Sequence, residues 1–145
     1  MSKTNSFLSA EEEQEIVLAI RQAEKNTSGE IRVHIEASSS IPHRQRALQV
    51  FNGLKMFNTQ QKNAVLFYLA VKDQKFVIYG DEGIDRVVSE NFWDSTKSLM
   101  QEQFKIGNFK QGIVSGIIKA GEELKVHFPW QLDDKDELPN QISKA

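Results

Sequence analysis

The chain has 145 residues, 39% of them hydrophobic and 26% charged, with eighteen basic residues against twenty acidic ones for a net charge of −2. That length and composition describe one globular domain with a single sizeable core, and the near-neutral balance supplies no field for attracting nucleic acid or anionic lipid. No cysteine is present, which excludes disulfides, cysteine-ligated zinc and thiol nucleophiles.

Met1 to Ser6 lead into no hydrophobic stretch of signal-peptide type, and the longest apolar run, Ala64 to Val71, is far too short to span a bilayer. A cytoplasmic, monomeric protein without membrane insertion is expected. Ser9-Ala10-Glu11-Glu12 has the form of a capping box, in which hydroxyl and carboxylate each satisfy a free amide of the other. Ile16, Ala19, Ile20 and Ala23 follow at helical spacing and predict a helix of about four turns with one buried stripe. The cluster Asn26-Thr27-Ser28-Gly29 ends it.

From Glu30 to Ala37 the chain alternates. Ile31, Val33, Ile35 and Ala37 point one way and Arg32, His34 and Glu36 the other, which predicts a strand with one wet face. Pro42 then suits a first helical turn, and Ala47, Val50, Phe51 and Leu54 mark a second helix. Ala64 to Val71 is apolar throughout, as in a strand covered on both faces. The polar turn Lys72-Asp73-Gln74-Lys75 and the run Phe76-Val77-Ile78-Tyr79 complete a hairpin. From Asp85 the pattern is helical again, with Phe92, Trp93, Leu99, Met100 and Phe104 on one face and a break at Gly107-Asn108. Ile113, Ile117, Ala120 and Leu124 mark a last helix, in which Gly112, Gly116 and Gly121 leave room for close packing. Residues 8–128 read as the domain, and 129–145, with Asp133-Asp134-Lys135-Asp136-Glu137, read as a disordered acidic tail.

The element order α-β-α-β-β-α-α predicts an α/β fold with a mixed sheet. The crossover makes strands one and two parallel, and the hairpin makes strand three antiparallel to strand two. The starts of strands one and two and the end of strand three therefore share one sheet edge. Glu30, Asn63 and the loop Gly80-Asp81-Glu82-Gly83-Ile84-Asp85 converge there. Carboxylates on loops with glycine between them suit a hard divalent cation. Asp81, Glu82 and Asp85 also stand just before a helix, where acidic residues cap free amides and complement the dipole. The loop is not an EF-hand, because Val87, Ser89 and Phe92 occupy its later ligand positions. At the opposite edge, Ser38-Ser39-Ser40 with His43, Arg44 and Arg46 fit either a phosphate-holding helix start or a solvated polar loop. His34, His43 and His127 lack zinc-site spacing, and no phosphate loop, nucleophile elbow or dinucleotide fingerprint occurs. Phe128-Pro129-Trp130 reads as packing for the last helix.

Ser9-Ala10-Glu11-Glu12, Ser28-Gly29-Glu30-Ile31, Asn63-Ala64-Val65-Leu66 with the Tyr79-Gly80 loop, and Phe104-Lys105-Ile106-Gly107-Asn108-Phe109-Lys110-Gln111-Gly112 together resemble the TPM domain family over about Leu8 to Phe128. His43-Arg44-Gln45-Arg46-Ala47, Phe92-Trp93 and His127-Phe128-Pro129 are most similar to a short bacterial branch without membrane anchor. The resemblance implies helices on both faces of a mixed sheet and an acidic site at one sheet edge, where some relatives bind calcium or other divalent cations. It also implies acid phosphatase activity in plant members. Two departures bear on function. The usual Asp-Asn-Gly before strand two reads Lys62-Asn63-Ala64, which removes a carboxylate, and the usual Gly-Tyr-Gly loop reads Gly80-Asp81-Glu82-Gly83, which adds two. The expectation is a cation-binding accessory module. Asp81, Glu82, Asp85 and Glu30 are its metal ligands, Asn63, Gly80 and Gly83 support them, calcium is favoured over magnesium, and a protein partner stays unidentified. The alternative is a metal-assisted phosphomonoesterase, for which no catalytic residue beyond these carboxylates can be named.

Overall fold

The computed structural model describes residues 7–130 and 138–145. Helix α1 (Ala10–Glu24) starts on the expected capping box: the Glu12 amide donates to Ser9 Oγ at 3.1 Å and the Ser9 amide to Glu12 Oε1 at 2.9 Å. Strand β1 (Glu30–Glu36), helix α2 (His43–Gly53), strand β2 (Ala64–Ala70) and strand β3 (Lys75–Gly80) follow in the predicted order. The helix expected from Asp85 onward is split. A single turn, α3 (Glu82–Asp85), is followed by irregular turns, and α4 begins only at Asp94 and runs to Lys105. The intervening Arg86-Val87-Val88-Ser89 joins two β-branched residues to a serine, types that lose rotamer freedom in a helix or compete with its hydrogen bonds. Helix α5 (Phe109–Lys125) closes the domain.

Strand pairing is parallel between β1 and β2, with Glu30 opposite Ala64, and antiparallel between β2 and β3, with Val65 opposite Gly80. The sheet order is β3-β2-β1-β4, where β4 is Ser143–Lys144, parallel to β1. Two apolar layers enclose the sheet. One joins Ile31, Val33, Ile35, Val65 and Phe67 to α1, α4 and α5; the other joins Ala64, Leu66 and Tyr68 to Ala47, Val50 and Phe51 of α2. The α5 glycines are where helices touch. A β-carbon on Gly116 would lie 2.5 Å from Met100 Sδ of α4, and one on Gly121 2.8 Å from Ala23 of α1.

Two expectations are corrected. Part of the expected 129–145 tail, residues 131–137, lies outside the described residues, but 138–145 is built into the domain. Leu138 is buried in the α2-side layer, β4 extends the sheet, and the Ala145 amide donates to Ile35 O at 3.2 Å. A buried leucine and a two-residue polar strand give no periodicity to read. The expected wet face of β1 is also covered, with His34 and Glu36 each 4% exposed. It shares a layer with the apolar face of β2, and β4 makes β1 an inner strand. Phe128 is buried as expected, and its carbonyl accepts from the Thr27 hydroxyl and the Ser28 amide.

Candidate functional site

The sheet edge formed by the starts of β1 and β2 and the end of β3 forms as chain order requires. The Glu30 amide donates to Asn63 O at 3.3 Å and the Asp81 amide to Ala64 O at 2.9 Å. Glu30 and Asp81 thus both flank Ala64 on the α2 side of the sheet, about 10 Å apart across two strand spacings. Ala64 of β2 stands between them in the strand order. Glu30, Asn63 and Asp81 are 3%, 1% and 8% exposed.

The segment before β2 is held in an unusual conformation. Lys62 takes a left-handed backbone with φ +53°, which costs a non-glycine residue about 1–2 kcal/mol. It stays there because its carbonyl accepts from the Gly83 amide at 2.8 Å, its Nζ donates to Phe57 O at 2.6 Å, and the Asn63 amide donates to Thr59 Oγ1 at 3.3 Å. Gly83 is required at this crossing, since a β-carbon there would sit 2.2 Å from Gln61 O and 2.4 Å from Lys62 O. The glycines expected as flexible supports are therefore fixed: Gly80 is the last paired residue of β3, and Gly83 locks two loops together.

The carboxylates divide. Asp81 caps α3, with Oδ1 accepting from the Glu82 amide at 2.7 Å, so the capping function is real but uses one oxygen. Its Oδ2 is buried without a hydrogen-bond partner, and so is Asn63 Oδ1, although Asn63 Nδ2 donates to Ser28 Oγ at 3.3 Å. Burial pushes the Asp81 carboxyl above the usual carboxylate range; the Glu82 amide pulls it back, and the charges of Glu82 and Asp85 add to the rise while Lys62 opposes it. Glu82 and Asp85 themselves are exposed, and Glu82 pairs with Arg86 at 3.7 Å. The structure thus gathers Glu30, Asn63 and Asp81 and leaves Glu82 and Asp85 at the surface nearby. Among the described residues no three histidine or acidic side chains are arranged as a ready metal cage.

The opposite edge holds polar groups whose bonds are internal. The Ser39 amide and His43 Nε2 both engage Asp73 Oδ2, at 3.0 and 2.8 Å. The donors that suggested a phosphate site are spent on a protein carboxylate. Sequence reasoning missed the cluster beside them. Glu36 Oε1 accepts from Arg46 Nη2 at 2.8 Å and meets His34 Nε2 at 3.0 Å, while Oε2 accepts from Arg46 Nε at 2.9 Å and from the Tyr68 hydroxyl. His34 Nδ1 lies 2.9 Å from Ser143 Oγ. A neutral imidazole with its proton on Nε2 satisfies both contacts. Burial raises the Glu36 carboxyl, but the bonds from Arg46, Tyr68 and His34 outweigh this and hold it at about 2. Burial also lowers the His34 pKa and, with the Glu36 charge, raises that of Tyr68. One signal was legible: a polar strand face beside a strand apolar on both faces must share its cover.

An α/β domain with a mixed four-stranded sheet, helices on both faces and a buried acidic edge is the class this geometry defines. The sequence profile of the TPM domain matches residues 1–123, and the chain belongs to that family. It is similar to the BA42 protein of the psychrophilic bacterium Bizionia argentinensis, known from an NMR structure, with 62% identity over 96% of both chains and a TM-score of 0.92. The fold also recurs in the N-terminal domain of a P. gingivalis protein, 18% identical over 84% of this chain and 79% of that one, TM-score 0.70. A Corynebacterium glutamicum domain, from protein cg2496, shares it at 10% identity over 95% and 81%, TM-score 0.63. No curated protein matches the chain. Among the described residues no helix is long and apolar enough to cross a membrane.

Proposed function

We propose that this TPM domain is a binding module whose acidic sheet edge takes one divalent cation, calcium in preference to magnesium, and presents it to a partner protein. One observation carries the reading: Asp81 Oδ2 and Asn63 Oδ1 are both buried at this edge without a partner, beside the buried Glu30. A buried oxygen left unpaired costs about 1–3 kcal/mol, more when charged. A cation gives both oxygens a partner and offsets the burial, and the lesser repulsion from Glu82 and Asp85, that raise the Asp81 pKa. Glu82 and Asp85 enter as outer ligands or as charges that draw the ion in. A carboxylate and a side-chain amide oxygen form an irregular oxygen set, which suits calcium better than magnesium with its strict octahedron and tightly held water. Phosphomonoester hydrolysis has less behind it, since Arg86, the nearest candidate for a phosphate clamp, is paired with Glu82.

Calcium that binds only the folded chain raises its unfolding temperature as its concentration rises. Thermal unfolding in millimolar calcium and in chelator should therefore separate for the natural protein and coincide for Asp81→Asn/Asp85→Asn. Asp81→Asn alone should stabilise the cation-free protein at neutral pH, because a carboxyl whose folded pKa is raised loses stability as it ionises. An amide chemical-shift titration should move residues 30, 63 and 80–85 first. Overlaid melting curves and unmoved amides would mean that Asp81 is only a helix cap.

A further inference from the structure

At the far end of the sheet from the acidic edge lies a second concavity, built from different elements. A pocket of about 590 Å³ opens between the β2–β3 turn, the end of α4 and the start of α5. Four phenylalanines wall it in one continuous run. Phe7 meets Phe109 at 5.0 Å between ring centres, Phe109 meets Phe104 at 5.9 Å, and Phe104 meets Phe76 edge-on at 5.3 Å. Phe7, Phe76 and Phe104 are half-buried and Phe109 is 40% exposed. Gly112 allows this arrangement, since a β-carbon there would lie 2.5 Å from the Phe104 ring. A pocket of this size is in the range that holds small ligands, whereas core voids rarely exceed one water.

The polar part of the wall has one sign. Lys75 and Lys105 line the pocket, both exposed, and among the described residues no carboxylate does. Neither lysine has an ion pair among the described residues. The nearest hairpin acid, Asp73, is turned away onto Ser39 and His43. Lys110 at the start of α5 is already paired with Glu15 at 3.3 Å.

We propose that this pocket binds a small amphiphilic monoanion, an apolar body with a single carboxylate, its body against the four phenylalanines and its head between Lys75 and Lys105. The segment 1–6, Met-Ser-Lys-Thr-Asn-Ser, holds one apolar side chain and is a poor match for such a wall. The body supplies affinity through apolar burial, and the lysines supply preference for the anion over its neutral and cationic homologues.

Sodium octanoate is the probe, followed by amide chemical shifts up to about 10 mM, a range suited to a ligand of so few atoms. Saturating shifts are expected at residues 69–76 and 101–109. 1-Octanol should bind about threefold to tenfold more weakly and octylammonium more weakly still, as expected for two solvent-exposed charge pairs. Lys75→Gln/Lys105→Gln, both at exposed positions, should reduce octanoate to the affinity of octanol without changing the melting temperature. Deleting residues 1–6 should leave octanoate binding intact. The proposal fails if octanoate gives no saturable shift, if it binds no better than octanol, or if binding appears only after residues 1–6 are removed, which would make that segment the natural occupant. It also fails if the pocket shifts follow protein concentration instead of octanoate, which would assign the pocket to a second copy of the chain.

Discussion

Replacing Glu36 by glutamine keeps the shape of a buried side chain bonded to Arg46, Tyr68 and His34 and removes its charge. In the folded chain Glu36 is contacted by His34 from its own strand, Tyr68 from β2 and Arg46 from α2, with Ser143 beyond His34. Its carboxyl is held at about 2 against an ordinary 4.5. At about 1.4 kcal/mol per pH unit that interval is worth about 3 kcal/mol at neutral pH. A folded pKa below the unfolded one means stability that is complete above pH 4.5 and lost as pH falls towards 2. Glutamine also turns an amide donor towards a site where Arg46 and Tyr68 already donate, consistent with the cost of leaving one member of a buried pair alone. Glu36→Gln should therefore melt roughly 10 °C lower at pH 7, at about 3 °C per kcal/mol for a domain of this size. The gap should narrow to less than half its neutral value at pH 3 and nearly close at pH 2, where the natural side chain is itself half neutral. Denaturant or thermal unfolding by circular dichroism at matched pH gives the difference, in which the other carboxylates cancel. His34 adds acid sensitivity of the same sign, because burial lowers its pKa and folding releases its proton below pH 6.5. An equal gap at pH 7 and pH 2 would refute the charge argument and leave only lost shape or hydrogen bonding.

Two further substitutions test the fold around the sites. Gly83→Ala should cost about 1–3 kcal/mol, because its β-carbon meets backbone carbonyls at 2.2 and 2.4 Å and one of the two loops must move; an unchanged melting temperature would show that the contact gives way freely. Leu138→Ala, at a position 8% exposed, should cost about 2–3 kcal/mol and lower the melting temperature by several degrees, whereas a dispensable tail predicts no change.

The legible parts of the fold were those encoded by local pattern or by chain direction. Ser9 and Glu12 announce α1, the alternation from Glu30 to Glu36 announces β1, and Ala64 to Ala70 announces a strand covered on both sides. Strand order alone brought Glu30, Asn63 and Asp81 to one edge, because a parallel crossover followed by a hairpin leaves no other arrangement. What failed depended on contacts distant in sequence. Ser143 and Lys144 form a strand only because β1 offers an open edge, and nothing in two polar residues states that. Glu82 and Asp85 lie next to Asp81 in sequence, but burial does not follow sequence proximity: α3 is a single turn that leaves both at the surface.

The two polar ends of the sheet can be told apart by how their hydrogen bonds close. In parallel α/β sheets, ligands usually bind beyond the carboxyl ends of the strands, which here means the end holding Glu36, Ser39, His43 and Asp73. Glu36 has both its oxygens occupied, and Asp73 Oδ2 takes both Ser39 and His43. A buried cluster satisfied in this way rigidifies its surroundings and has little left to offer a ligand. Its bonds join β1 to α2, β2 and β4, so its role is to hold the C-terminal strand and the α2 side of the sheet together. At the amino ends of β1 and β2 the balance is reversed. Asp81 spends one oxygen on a cap and keeps one unpaired, Asn63 keeps its carbonyl oxygen unpaired, and a left-handed Lys62 helps to hold the loop in place. Strain and unmet bonding capacity in one place distinguish this end of the sheet from the other, and they are what the proposed cation site rests on.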